Sequence, residues 1–199
     1  MTNNRTMLKQ KIAHKTDRAG NCYVPKAEYI NPFIESVYAL FSTMLDCEVH
    51  RQDLALRRNL DPSLDIVAFI SLSGSVQGTV ALAFPIKTAL SIVSRIYEDE
   101  VVVIDSKVID AIGEMANVVA GSAQAFLCQV EQGRIDLGVP TVVRGSNFSI
   151  DYPSQATWLE VPFSSELGVF VIRVTIKKGD GNHLYNQESA SFCRLAVSD

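Results

Sequence analysis

The chain has 199 residues, of which 47% are hydrophobic and 20% charged, with a formal net charge of −4. This length and composition suit one folded domain with a full core and exclude a compositionally disordered chain. No apolar run approaches the roughly 20 residues of a membrane span, the N-terminus lacks a secretory apolar region, and the net charge does not fit a nucleic-acid binder, so a cytoplasmic location without membrane or nucleic-acid partners is expected. The charge is uneven. Residues 1–27 carry Arg5, Lys9, Lys11, Lys15, Arg18 and Lys26 against Asp17 alone. Such a stretch could touch an anionic surface, but it reads more simply as a solvated arm. The four cysteines (Cys22, Cys47, Cys128, Cys193) form no CxxC pair, and His14, His50 and His183 are scattered, so neither a disulfide framework nor a metal site of ordinary spacing is predicted.

In chain order, Asn31 and Pro32 predict a helix start, because Asn caps well and Pro suits the first helical position. Phe33, Val37, Leu40, Phe41 and Met44 follow at helical spacing, giving an amphipathic helix over 32–46. A weak strand is predicted at 49–57. Residues 65–84 alternate like a hairpin, with Ile66, Ala68, Ile70 and Leu72 on one face, a turn at Ser73-Gly74, and Val76, Gly78, Val80, Leu82 and Phe84 on the return. Pro85 ends that strand and can open a second helix, whose stripe is Ile86, Ala89, Leu90, Val93, Ile96 and Tyr97. A long helix is predicted from 105 to 132, with Gly133 as its stop. Strands follow at 139–150, 155–163 and 168–177, the last two joined by a tight connection over 164–168. Residues 178–199 read as a polar tail. The fold class is α+β: a mostly antiparallel sheet of about six strands covered by three helices. The domain covers 28–177, between tails at 1–27 and 178–199.

The long helix carries the chemical signal. At about 100° per residue, Val108, Ile112, Met115, Val119, Ala123, Phe126 and Val130 form one stripe that should face the core. Asp110, Glu114, Asn117, Gly121 and Gln124 fall opposite. Glu114 and Asn117 are three apart and therefore neighbours. Gly113, Ala120 and Gly121 lie beside them. Glycine within a helix costs about 1 kcal/mol relative to alanine, so two of them point to a close approach by something else. From spacing alone, an ordinary solvated face explains the polar residues better than a functional site does. No nucleophile beside a base is visible; the carboxylates of Asp110 and Glu114, one turn apart, could do acid/base work, though on an exposed face such a pair more often merely repels.

The segment Asp110-Ala-Ile-Gly-Glu114-Met-Ala-Asn117, followed after 22 residues by Pro140, resembles the signature of the CheC/CheX/FliY family of chemotaxis phosphatases. The flanks Glu28-Tyr-Ile-Asn-Pro-Phe33, Ser71-Leu-Ser-Gly74 with Gly78, and Asn117-Val-Val-Ala-Gly121 are similar to its CheX branch. The likeness spans about 28–177. CheC relatives carry two motif copies; here the first helix has Glu35 and Ser36 but no Asn at the matching spacing. The resemblance implies an aspartyl-phosphate phosphatase, a hydrolase acting on a phosphorylated CheY-like response regulator in two-component signalling. Asn117 would orient the attacking water and Glu114 would contact a partner lysine. Asp110, Gly113, Gly121 and Gln124 would make up the partner-binding face, with Asp110 as a helix-side polar contact and Pro140 leading a strand. The resemblance further implies a homodimer with one site per subunit, no cofactor of its own, and Mg2+ on the partner receiver domain. The alternative is a non-catalytic response-regulator binding module of the same shape.

Overall fold

The computed structural model describes residues 27–57, 64–145, 148–151, 157–179 and 194–197, with backbone alone for 148–151 and 194–197. The expectations for residues 1–26, with Cys22 and His14, and for Cys193 and His183 lie outside the described residues. Helix α1 (Ala27–Met44) leads to short strands β1 (Val49–Arg51) and β2 (Ala55–Arg57), then the hairpin β3 (Ile66–Gly74) and β4 (Val76–Phe84). Helices α2 (Ile86–Tyr97) and α3 (Ser106–Glu131) follow. The chain continues through β5 (Ile135–Leu137), β6 (Thr141–Arg144), β7 (Phe148–Asp151), β8 (Trp158–Ser165) and β9 (Gly168–Lys178) to β10 (Arg194–Val197).

One sheet runs in the order β1-β8-β9-β4-β3-β5, with β2 also on β8 and β6 also on β3, and every pairing is antiparallel. It thus has eight strands in six positions, because each outer position is shared by two short strands. β8 and β9 are interior: β8 is flanked by β9 on one side and by β1 and β2 on the other, and β9 lies between β8 and β4. Residues 194–197 are also not plain polar tail, since β10 pairs with β7 in a separate two-stranded sheet.

Strand alternation splits the apolar residues between two faces. Ile66, Ala68, Ile70 and Leu72 of β3, with Val80, Leu82 and Phe84 of β4, share one core with all three helices. Phe170 of β9 stacks on Phe41 of α1 at 4.7 Å and on Phe163 of β8 at 5.2 Å, locking α1 to the sheet. The intervening residues Val67, Phe69, Ala81, Ala83 and Trp158 form a second buried cluster on the opposite face. The Glu160–Arg173 ion pair (2.8 Å) is buried on this second face too.

Three sequence expectations shift. α1 begins at Ala27, and Pro32 lies inside it, where it forgoes one backbone hydrogen bond while its carbonyl accepts from Ser36 Oγ at 2.6 Å. In α2, Ile86 and Tyr97 are exposed while Thr88 and Ile92 are buried, because the apolar contact is confined to the middle turns. In α3, Phe126 and Val130 are exposed and Leu127 is buried, because α1 packs beside α3 and draws the covered sector round the helix. The start of α2 matches its signal, and α3 starts where expected. Pro85 caps α2, with Asp65 Oδ2 accepting from Ile86 N at 2.9 Å, and Asp105 Oδ1 accepts from Val108 N at 3.1 Å at the start of α3. The chain leaves β3 through Gly74, whose φ of 107° favours glycine.

Candidate functional site

α3 is held on three sides. Its sheet-facing stripe of Val108, Ile112, Met115 and Val119 is buried in the main core. Each such side chain contributes about 1.5–3 kcal/mol by leaving water. α1 lies along a second side. At its C-terminal end Glu131 is fixed by Tyr29 Oη, which donates to it, and by Lys178 Nζ at 3.2 Å.

The third side is closed by residues 135–142. Gln124 Nε2 donates to the Ile135 carbonyl, and further along Pro140 and Val142 lie over Gly113. A Cβ on Gly113 would stand 3.4 Å from Val142 Cγ2 and 3.9 Å from Pro140 Cβ. This segment therefore runs antiparallel beside α3, from the turn of Gln124 to the turn of Gly113.

What remains open is one face of the helix. Asp110, Glu114 and Asn117 are exposed on it. None of the three side chains hydrogen-bonds to, or ion-pairs with, another described residue. Gly121 is half-buried, and a Cβ there would meet nothing within 4 Å, so its lack of a side chain answers no need of the fold. Lys107, one turn before Asp110, already has its ammonium over the Tyr97 ring at 3.8 Å. The open face thus holds two carboxylates and one carboxamide, with a shallow backbone at Gly121.

The structure places four of these residues differently from the sequence reading. Gly113 is buried, and its close neighbours are this chain's own Pro140 and Val142 rather than an incoming backbone. Ala120 is likewise fully buried. Gln124 is half-buried with its amide spent on Ile135, so it braces the site's flank rather than offering a free contact. Asp110 makes no structural polar contact among the described residues. Pro140 does lead strand β6, and it also covers Gly113. What the sequence did not reveal is the bracing segment 135–142, because a helix wheel cannot show which chain lies alongside.

Elsewhere, Cys47 and His50 line a hollow with Asp46, Glu48 and Glu166 at the β1–β8 edge, away from α3. Among the described residues no three His, Cys, Asp or Glu side chains converge as metal ligands, and no helix is long and apolar enough to cross a membrane.

The model of the family described as chemotaxis phosphatase CheX matches residues 66–164, a stretch that contains the hairpin, α3 and Pro140. Over that stretch the chain is similar to the CheX family. The CheY-P phosphatase CheX of Thermotoga maritima is 28% identical over 157 residues, covering 77% of this chain and 98% of that relative. A solved CheC-like superfamily protein from Shewanella sp. PV-4 is 27% identical, with a TM-score of 0.70 over 77% of this chain and 99% of that one. The fold also matches a CheX–CheY–BeF3–Mg2+ complex from Borrelia burgdorferi, at 22% identity and a TM-score of 0.66 over 77% of this chain and all of that one. The CheX-family motif in this chain is thus presented by α3, and its Glu114 and Asn117 are exposed on the open face.

Proposed function

We propose that this CheX-like protein accelerates hydrolysis of the aspartyl phosphate on a CheY-type receiver domain, in chemotaxis or a related two-component pathway of the cytoplasm. The observation that carries this reading is the pairing of Glu114 and Asn117. They are neighbours on one helix face, exposed, and unengaged by the rest of the described chain. A rigid helix that holds two polar side chains out of its own network is suited to complete another protein's site. The naming of a relative as a CheY-P phosphatase and the existence of a CheX–CheY complex in the family favour a receiver domain as that partner.

The chemistry follows from charge. Water attacks phosphorus in line with the bond to the aspartyl oxygen; that bond breaks, releasing the aspartate carboxylate and inorganic phosphate. The reaction demands positioning and charge stabilisation more than covalent help. The Asn117 carboxamide is neutral, so it can hold and orient the water without adding negative charge beside the phosphoryl group. Glu114 would repel the phosphoryl group but attract a lysine, so its role is to fix the docking. Mg2+ belongs to the receiver, and this chain supplies no cofactor. By the same family likeness the active species is a homodimer with one site per subunit.

The test is the lifetime of a phosphorylated receiver from the same organism, with and without this protein. Wild type should shorten it and Asn117→Ala should not. A receiver that binds with no faster phosphate loss would instead identify a non-catalytic binding module.

A further inference from the structure

Val139 is 85% exposed, more than any other large hydrophobic residue described. A lone exposed valine needs no explanation in itself. This one differs in how it is held. On one side, Gly138 N donates to Ser71 O at 2.9 Å, and Gly138 lies so close to β3 that a Cβ would meet Ser71 Oγ at 2.2 Å. On the other side, Pro140 rests against Gly113 of α3. Val139 is therefore pinned at both neighbours, on a segment with little freedom to turn it inward.

Its position follows from the two ends of the bracing segment. From Gln124 back to Gly113 the helix advances about 16 Å. Opposite it, residues 135–141 in extended form cover about 20 Å. Residue 139 therefore falls alongside the turn that contains Asn117. Asn117 also lies within about 40° of both Gly113 and Gln124 on the helix, so it is the motif residue nearest this flank, with Glu114 turned away from it. Val139 and Asn117 stand within about 15 Å, whereas even a standard interface covers about 800 Å² on each partner, a disc about 16 Å in radius. A protein domain centred on Asn117 is wide enough to reach Val139.

We propose that Val139 is a docking residue for the receiver domain: a preorganised apolar contact, buried against the partner's surface when Asn117 enters its phosphorylation site. This rests on the function proposed above. Val139 supplies affinity and touches no reacting atom, so it is a positioning residue. Its substitution changes how much receiver is needed, not how fast the docked complex turns over.

The experiment titrates the full-length protein with a CheY-type receiver from the same organism, loaded with beryllofluoride and Mg2+, and in parallel follows phosphate loss from the phosphorylated receiver. Val139→Asp should weaken binding and raise KM by about tenfold or more, while kcat at saturation stays within about twofold of wild type. Val139→Ala should show a smaller loss and Val139→Ile none. Val169→Asp, at an exposed valine on β9 whose side chain projects on the sheet face away from the helices, should leave both constants unchanged. If Val139→Asp binds the loaded receiver like wild type, the docking role is overturned. If it weakens binding while wild type does not hasten phosphate loss, the docking role stands and the phosphatase reading falls. If wild type binds no receiver, both fall.

Discussion

α1 and α3 lie side by side on the same sheet, and both present an exposed glutamate to water, yet only one of them is built as a site. In α1 two hydroxyls are consumed by the helix's own carbonyls. Ser36 is buried with its hydroxyl on the Pro32 carbonyl, Thr43 Oγ1 bonds to the Ala39 carbonyl, and three residues after Glu35 stands Tyr38, edge-on to Phe163 at 5.9 Å. In α3 the residue three after Glu114 is Asn117, exposed and unengaged, followed by the open backbone at Gly121. A functional face is thus distinguished less by polarity than by polar groups the fold leaves unused.

The comparison can be broken in several places. The largest effect belongs to α1: Phe41→Ala should cost about 3–5 kcal/mol, because it empties the stack on Phe170, and should lower the melting temperature sharply. If stability instead barely changes, α1 is not the structural member of the pair. Next, Asn117→Ala should lower the rate of receiver dephosphorylation by about 100-fold, the scale for losing one positioning group at a reacting centre. Its thermal unfolding should match wild type within about 0.5 kcal/mol, since an exposed side chain without partners holds nothing. Tyr38→Asn, which copies the Glu-x-x-Asn spacing onto α1, should destabilise by about 1–2 kcal/mol through loss of the Phe163 contact and restore no activity to an Asn117→Ala chain. Recovery of phosphate release there would mean that spacing alone makes the site. Removing the α3 cap with Asp105→Ala should cost about 1 kcal/mol in a denaturant melt. The smallest effect on stability is expected at Gly121. Gly121→Arg meets nothing in the fold and should gain up to about 1 kcal/mol from helix propensity, yet weaken receiver binding by standing where the partner must approach. Unchanged binding in that variant would show that the open face is not where the receiver sits.

Much of this was legible from periodicity. The hairpin 66–84, the start of α2 and the end of α3 followed from alternation, Pro85 and Gly133, all of which act over a few neighbouring residues. Glu114 and Asn117 were placed on the exposed face because the opposite stripe is strongly apolar and a helix can bury only one side. Signals that depend on another element were misread. Phe126 and Val130 look like core on a wheel, but α1 decides which sector is covered. Pro32 reads as a helix start, but the turn before it is held by buried Tyr29 and Ile30.

The sequence by itself therefore determined the α+β class, the long helix and the identity of its motif pair, since these rest on local spacing and on recognisable residues. The tertiary structure alone decided which small residues serve the fold and which leave room for a partner. Gly113 and Gly121 are indistinguishable in a sequence, but only Gly113 has Pro140 and Val142 lying against it. It also decided that β8 and β9 are interior and that Val139 is held exposed between residues fixed on β3 and α3. Packing between residues distant along the chain sets all three, and one-dimensional spacing carries no record of it.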